Sequence, residues 1–152
     1  MSADYPSMTT AEIRSKFLNF FEERGLKLYP SSSLVPDDPS LLLANAGMNQ
    51  FKEYYQGKKT MKEIGAISCQ KCVRTNDIDI IGEDGRHLSF FEMLGDFSFG
   101  GVSKQQACAW AFELITKEFK LPLDRLYFTV FTEDDETESV WRALGVPADH
   151  IT

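Results

Sequence analysis

Arg74 lies at a position well suited to binding chemistry, at the end of an apolar stretch and at the start of an acidic loop. Its planar guanidinium can bind a carboxylate or a phosphate through two parallel hydrogen bonds, so Arg74 could clamp an anionic ligand. Alternatively, Arg74 could form a structural ion pair with Asp77 or Asp79 in the loop that follows it. The residue types alone leave both interpretations open.

The aromatic stretch from Arg86 to Gly100 is the second segment suited to a binding site. Strand side chains alternate between the two faces of a sheet, which assigns one set to a core face: Phe91, Met93, Gly95, Phe97 and Phe99. The other face mixes aromatic and polar groups, as a half-open binding surface does: Leu88, Phe90, Glu92, Leu94, Asp96 and Ser98. On that face Phe90 could stack on a purine, with an acid beside it and Arg74 nearby. The alternative is a strand buried on both faces.

Three cysteines raise the question of metal or redox chemistry. Cys69 and Cys72 form a CxxC pair, which is typical of a redox site or of half a zinc site. The pair lies within a strand pattern, where residues i and i+3 point to opposite faces, so the two sulfurs are expected to diverge. We therefore favour buried structural cysteines here and at Cys108. The acidic run 133–136 is interpreted as a solvated helix start.

Hydrophobic periodicity and turn residues predict the elements that position these side chains. Helices are predicted from Thr9 to Gly25, from Ser103 to about Lys120, and from Asp134 or Asp135 to Gly145. Thr9 and Glu12 have the spacing of a capping box, and Ser103 with Gln106 caps the second helix. Phe17, Phe20 and Phe21 follow at the spacing of one helix face. Strands are predicted over 26–29, 41–44, 66–74, 88–99 and 126–131. The simplest topology for the strands 66–74 and 88–99 is a long antiparallel hairpin, with the acidic loop as its connection. The irregular order of elements indicates an α+β fold with an antiparallel sheet flanked by helices.

The amino-acid composition limits the classes of protein to which this chain could belong. The chain has 152 residues and a formal net charge of −7, with 43% hydrophobic and 26% charged residues, which are values for one globular domain. The sequence contains no apolar run long enough to span a membrane. We expect no secretory signal, because residues 1–6 lack the basic and apolar regions of one. Three cysteines without a signal fit a reducing cytosol. The acidic balance gives no support to nucleic-acid binding by these residues.

Several ordered stretches resemble the N-terminal end of the alanyl-tRNA synthetases, a family of class II aminoacyl-tRNA synthetases. The matching stretches are residues 11–21, 32–36, 38–52, 70–78 and 90–100, and the similarity extends over nearly the whole chain from Thr9. In that family the stretch 38–52 belongs to motif 1, and the hairpin around Arg74 and Phe90 is motif 2. The resemblance implies that residues 1–152 are the N-terminal portion of the catalytic domain, with motif 3 downstream.

The resemblance also implies roles for individual residues. Arg74 would be the catalytic motif 2 arginine, in contact with the α-phosphate of ATP and the carboxylate of alanine. The ATP-binding residues would be Arg74, Arg86, His87, Phe90 and Met93, with Phe90 stacked on adenine, and Asp77, Glu92 and Leu88 are further candidates. The implied cofactors are ATP and Mg²⁺, and no protein-bound zinc is expected in this segment.

The activity implied is that of a cytoplasmic alanine–tRNA ligase, which activates alanine as alanyl-adenylate and transfers it to tRNA(Ala). We expect this chain alone to be inactive in aminoacylation, and tRNA(Ala) to be bound through other regions. Leu88 stands where many relatives have a second histidine, and Gly100–Lys104 departs from the family pattern. These departures motivate an alternative, a short non-catalytic paralogue that binds a nucleotide or a protein partner. The oligomeric state is not predicted.

Overall fold

A computed structural model describes residues 7–76 and 78–152 of the chain. Its contacts divide the chain into two compact units. One consists of Leu18–Gly101, and the other consists of Met1–Phe17 together with Val102–Thr152. The sheet and the candidate site residues lie in the first unit. Among the described residues, no helix has the length and apolar character needed to cross a membrane.

The sheet of the first unit contains β1 (Lys27–Leu28), β2 (Gly65–Val73) and β3 (Phe90–Ser98), in that order. β2 and β3 form the predicted antiparallel hairpin, with a register from Gly65 opposite Ser98 to Val73 opposite Phe90. β1, however, pairs with β2 in parallel, so the sheet is mixed and the prediction of a purely antiparallel sheet was wrong. The reason is the long connection from Tyr29 to Ile64, which returns the chain to the same end of the sheet.

The connection between β1 and β2 carries a 3₁₀ turn (Gly47–Phe51) followed by the short helix α2 (Lys52–Tyr55). Phe51 is almost completely buried and packs against Phe97 of β3, with ring centroids 4.8 Å apart. The strand predicted over 41–44 was wrong, because Leu42 is 89% exposed and only Ala44 is bonded to the sheet, through its carbonyl to the Val73 N–H. One such contact fixes the chain in place without forming a ladder.

Helix α1 (Thr10–Glu22) begins as predicted, with a capping box. The Thr9 backbone N–H donates to Glu12 Oε2 at 2.7 Å, and the Glu12 N–H donates back to Thr9 Oγ1 at 3.3 Å. This exchange satisfies two backbone donors that the first turn would otherwise leave unpaired. Phe17, Phe20 and Phe21 are buried, as their helical spacing predicts.

The second unit contains α3 (Lys104–Glu113) and α4 (Asp135–Ala143). Ser103 caps α3, and a π-helical turn (Leu114–Glu118) extends it. Asp134 caps α4 by accepting a hydrogen bond from the Thr137 N–H. The strand predicted over 126–131 is reduced to an isolated parallel bridge between Phe128 and Ile151. The Phe128 and Val130 N–H groups donate to the carbonyls of His150 and Thr152, so this stretch pairs with residues 150–152.

Candidate functional site

Arg74 continues the ladder of β2 by one residue, since its backbone N–H donates to the Ser89 carbonyl at 2.8 Å. Two contacts orient its side chain. Nε donates to the Asn45 carbonyl at 3.0 Å, and the guanidinium carbon lies 5.2 Å from the centroid of the Phe91 ring. A guanidinium held by one nitrogen and stacked near an aromatic ring keeps its remaining donors in a defined direction. Among the described residues, Arg74 has no carboxylate partner, so the ion pair with Asp79 is not formed.

The hairpin register decides which phenylalanine accompanies Arg74. Phe91 lies opposite Cys72, and Phe90 lies opposite Val73. Because opposed residues share a face and neighbours alternate, Arg74 and Phe91 lie on one face while Phe90 lies on the other. Phe90 is 53% exposed there. The structure therefore does not bring Phe90 and Arg74 together, and it places at Arg74 a residue that alternation had assigned to the core.

A cavity of about 230 Å³ lies beside these two residues. It is lined by Arg74, Ile81, Arg86, His87, Leu88 and Phe91. Three of these lining side chains are basic, and none of the described lining residues is acidic, although the chain as a whole carries a net charge of −7. A concave site with one aromatic wall, two guanidinium groups and an imidazole has the chemistry needed to bind an anionic aromatic ligand.

Asp84 organises the loop that supplies Arg86 and His87. Its Oδ1 accepts hydrogen bonds from the backbone N–H of Arg86 at 2.9 Å and of His87 at 3.0 Å. Its Oδ2 lies 2.5 Å from Nδ1 of the His87 ring. The bonds to the Arg86 and His87 N–H groups, followed by the bond to the imidazole, lower the pKa of Asp84 to about 2. Gly85 has a φ of 66°, which permits the tight turn at this point.

The sequence comparisons agree with the motifs carried by these residues. The family model of class II (A) tRNA synthetases matches residues 12–152. The chain belongs to the class II tRNA synthetase family. It is 51% identical over 152 residues to an alanine–tRNA ligase of Synechocystis sp. and 53% identical over 140 residues to a chloroplastic/mitochondrial alanine–tRNA ligase of Oryza sativa subsp. indica. An alanine–tRNA ligase of Fervidobacterium nodosum is 50% identical over 140 residues.

These matches cover 99%, 91% and 92% of this chain, respectively. They cover 17%, 14% and 16% of the respective relatives, so the chain spans about a sixth of their length. The α+β fold with its antiparallel β2–β3 hairpin is that of a class II synthetase domain.

Of the remaining candidate residues in this class II synthetase chain, only Leu88 is among the described residues that line the cavity. Leu88 lines it and is 63% exposed. Met93 shares the face of Phe91, but its Sδ accepts a hydrogen bond from the Gly47 N–H at 3.2 Å, so it packs against the 3₁₀ turn. Glu92 is exposed on the face of Phe90. Asp77 lies outside the described residues.

Gln70 is a supporting residue that the sequence did not reveal. Its side chain is fully buried, and Oε1 accepts hydrogen bonds from the Ser32 N–H at 2.8 Å and from Gln50 Nε2 at 3.1 Å. Its Nε2 donates to the Ser32 carbonyl at 3.2 Å and to the Lys71 carbonyl at 2.7 Å. Gln70 thereby ties β2 to the turn that follows Asn45, whose carbonyl accepts the hydrogen bond from Arg74. The sequence signal that could have revealed this role was a glutamine at an inward position of a strand, since a buried amide needs hydrogen-bond partners.

The cysteines of the synthetase chain take the arrangement predicted from strand alternation. Cys72 is fully buried opposite Phe91, whereas Cys69 lies opposite Leu94 on the other face. Cys108 is buried as predicted, but Cys69 is only half-buried, so the prediction that it is buried was wrong. Burial raises the pKa of the Cys72 thiol, which disfavours the reactive thiolate. Within the described part of the chain, no group of three histidine, cysteine or acidic side chains could hold a metal ion.

Proposed function

We propose that residues 1–152 form the N-terminal portion of the catalytic domain of an alanine–tRNA ligase and bind ATP through the cavity beside Arg74. The observation that carries this proposal is the cluster of Arg74, Arg86 and His87 around the Phe91 ring in a chain of net negative charge. The identity of about 50% to several alanine–tRNA ligases supports alanine as the amino acid.

In the proposed reaction, a carboxylate oxygen of alanine attacks the α-phosphorus of ATP. The bond from that phosphorus to the bridging oxygen breaks, and pyrophosphate leaves with the electron pair, which produces alanyl-adenylate. Transfer of the alanyl group to tRNA(Ala) follows. Arg74 would place its guanidinium at the α-phosphate and the attacking carboxylate, which would reduce their mutual repulsion. A preorganised donor of this kind is worth about 3 kcal/mol in the transition state.

The geometry favours Phe91 as the residue that stacks on adenine, because Phe91 shares the face and the cavity of Arg74. Arg86 and His87 on the loop would then contact the phosphates farther from the base. Stacking on adenine by Phe90 stays a prediction, and it would require the base to lie on the opposite face of the hairpin. The two residues can be distinguished by substitution.

We expect Mg²⁺ to enter with the nucleotide as part of the substrate. None of the described residues that line the cavity carries a carboxylate, so the metal would be held through the phosphates. When bound, Mg²⁺ would neutralise charge on the leaving pyrophosphate. We also propose a cytoplasmic location, which fractionation of the source cells would test, since some relatives are named as chloroplastic/mitochondrial.

The experiment that tests ATP binding compares Arg74→Ala with Lys71→Ala by isothermal titration calorimetry. Lys71 is an exposed cation on the same strand, opposite Glu92 and on the other face, so it is a matched control for loss of charge. We expect Arg74→Ala to weaken ATP binding by about tenfold or more, with little change in melting temperature, and Lys71→Ala to have no effect. Loss of stability with unchanged ATP binding would instead establish a structural role for Arg74.

Catalysis is tested separately by ATP–pyrophosphate exchange. We expect the 152-residue chain to bind ATP weakly and to show no exchange, because it spans about a sixth of the length of its relatives. Exchange by this chain at the rate of an ordinary synthetase would contradict that expectation.

A further inference from the structure

Asp84 contacts its loop through two oxygens that have different partners. Oδ1 accepts hydrogen bonds from the backbone N–H groups of Arg86 and His87, and Oδ2 contacts Nδ1 of the His87 ring. The first oxygen shapes the backbone of the loop. The second acts only on the imidazole, and its effect is chemical because it determines which ring nitrogen carries hydrogen.

The protonation of the pair follows from the carboxylate. With a pKa of about 2, lowered first by the Arg86 and His87 N–H groups, Asp84 is ionised at neutral pH and has no proton to donate. The hydrogen in the contact therefore lies on Nδ1 of His87. The other ring nitrogen, Nε2, is then left for a ligand in the cavity that His87 lines.

We propose that Asp84 is a positioning residue of the nucleotide site, which holds His87 with Nδ1 protonated so that Nε2 is presented to a phosphate group. This inference rests on the proposed ATP-binding function. Phosphate oxygens accept hydrogen bonds, so an imidazole that binds phosphate through Nε2 must also carry hydrogen there. An ionised carboxylate on Nδ1 favours that doubly protonated form when phosphate arrives, because it balances the positive charge.

The substitution Asp84→Asn separates the two functions of the side chain. Asparagine keeps Oδ1 as an acceptor for both backbone N–H groups, but it replaces Oδ2 with an amide nitrogen that donates and cannot accept. The loop should therefore keep its shape while the His87 ring loses its acceptor. Asp84→Ala removes both contacts and reports the combined loss.

Nitrogen-15 NMR of the imidazoles measures the first consequence without any ligand. The chain has two histidines, so the assignment is simple. His150 is an internal control, because its Nδ1 lies 2.8 Å from the Leu126 carbonyl, which only accepts, and its Nδ1 must also carry hydrogen. In the wild-type chain at neutral pH we expect Nδ1 of His87 to be protonated. In Asp84→Asn we expect His87 to shift toward the tautomer protonated at Nε2, while His150 is unchanged.

ATP and adenosine binding measure the second consequence. We expect Asp84→Asn to weaken ATP binding by about threefold to tenfold, because a neutral imidazole donates a weaker hydrogen bond to phosphate through Nε2 than a charge-balanced imidazolium does. Adenosine binding should be unchanged, because adenosine has no phosphate. In a His87→Gln background, where the amide nitrogen takes the place of Nε2 without depending on Asp84, adding Asp84→Asn should cost no further affinity. This double-mutant cycle isolates the action of Asp84 through His87.

The outcomes distinguish this proposal from the proposed function. If the wild-type chain does not bind ATP, the ATP-binding function fails and the positioning role fails with it. If the wild-type chain binds ATP but Asp84→Asn keeps both the His87 tautomer and the ATP affinity, only the positioning role is overturned. Equal losses for ATP and adenosine would likewise overturn it, because they would indicate a general disturbance of the loop.

Discussion

Replacing each of two adjacent phenylalanines by leucine tests which face of the hairpin binds the nucleotide. Phe91 shares a face with Arg74 and lines the basic cavity, whereas Phe90 points to the opposite face and is 53% exposed. The two substitutions remove the same ring from neighbouring positions on one strand. Each variant is therefore the chemical control for the other.

The expected size of the effect follows from the contact that is lost. Stacking of a base on an aromatic side chain is worth about 1–3 kcal/mol when the side chain is truncated to alanine. Leucine retains part of the apolar contact, so Phe91→Leu should cost about 1 kcal/mol, which is about a fivefold increase in the Kd for ATP. Phe90→Leu should leave the Kd unchanged. Adenosine should show the same pattern, because the stacking contact involves the base.

Isothermal titration calorimetry with ATP and adenosine measures these affinities, and urea denaturation checks the folding of each variant. Phe91 lies opposite the buried Cys72, so Phe91→Leu should also reduce the free energy of unfolding by about 1 kcal/mol. The two variants are compared where both are fully folded. A loss of ATP affinity in Phe90→Leu that equals or exceeds the loss in Phe91→Leu would refute the placement of the nucleotide on the Arg74 face.

Two further predictions concern stability. Gln70→Leu should lower the free energy of unfolding in urea by about 1–3 kcal/mol, because the Ser32 N–H and the Gln50 amide lose their buried acceptor. The exposed control Gln56→Leu should have little effect, and equal losses would contradict this reasoning. For Asp134, the bond from Lys104, followed by the bonds from Thr137, lowers the pKa from 3.8 to about 2. The ionised Asp134 carboxylate therefore stabilises the fold fully above pH 3.8, and this stabilisation is lost as the pH falls toward 2. Asp134→Asn should reduce the free energy of unfolding at neutral pH. It should also make that free energy less dependent on pH between 3.8 and 2, as measured by circular dichroism during acid unfolding.

Local patterns predicted the elements whose determinants lie close together in the sequence. The capping box of Thr9 and Glu12 predicted the start of α1, and the alternation from Phe90 to Ser98 predicted β3 and its two faces. The cap at Ser103 predicted the start of α3. In each case the deciding interactions join residues that are a few positions apart, so the sequence contains them directly.

Predictions failed where pairing depends on distant residues. Leu41–Ala44 has the apolar character of a strand, yet only Ala44 meets the sheet. The stretch 126–131 has strand-like residues, but it forms only an isolated bridge to Ile151. The parallel pairing of β1 with β2 depends on the path of the chain between them. Propensity describes how a residue fits a strand, and it does not determine whether a partner strand is present.

The sequence by itself determined the chemical types at the candidate site and the family to which the chain belongs. Arg74 stands in a stretch distinctive enough, together with residues 38–52 and 90–100, to indicate a class II synthetase, and the family match over residues 12–152 confirmed that assignment. Alternation alone also separated Phe90 from Phe91 and Cys69 from Cys72. These conclusions need only the order and spacing of residues.

Only the tertiary structure decided which phenylalanine accompanies Arg74. Alternation assigns faces within one strand, but relating the faces of two strands requires their register, and the loop between Arg74 and Ser89 does not reveal it. The hydrogen bond from the Arg74 N–H to the Ser89 carbonyl sets that register and places Phe91 beside the guanidinium. The same long-range packing, through Gln70 and the turn after Asn45, positions the carbonyl that orients Arg74.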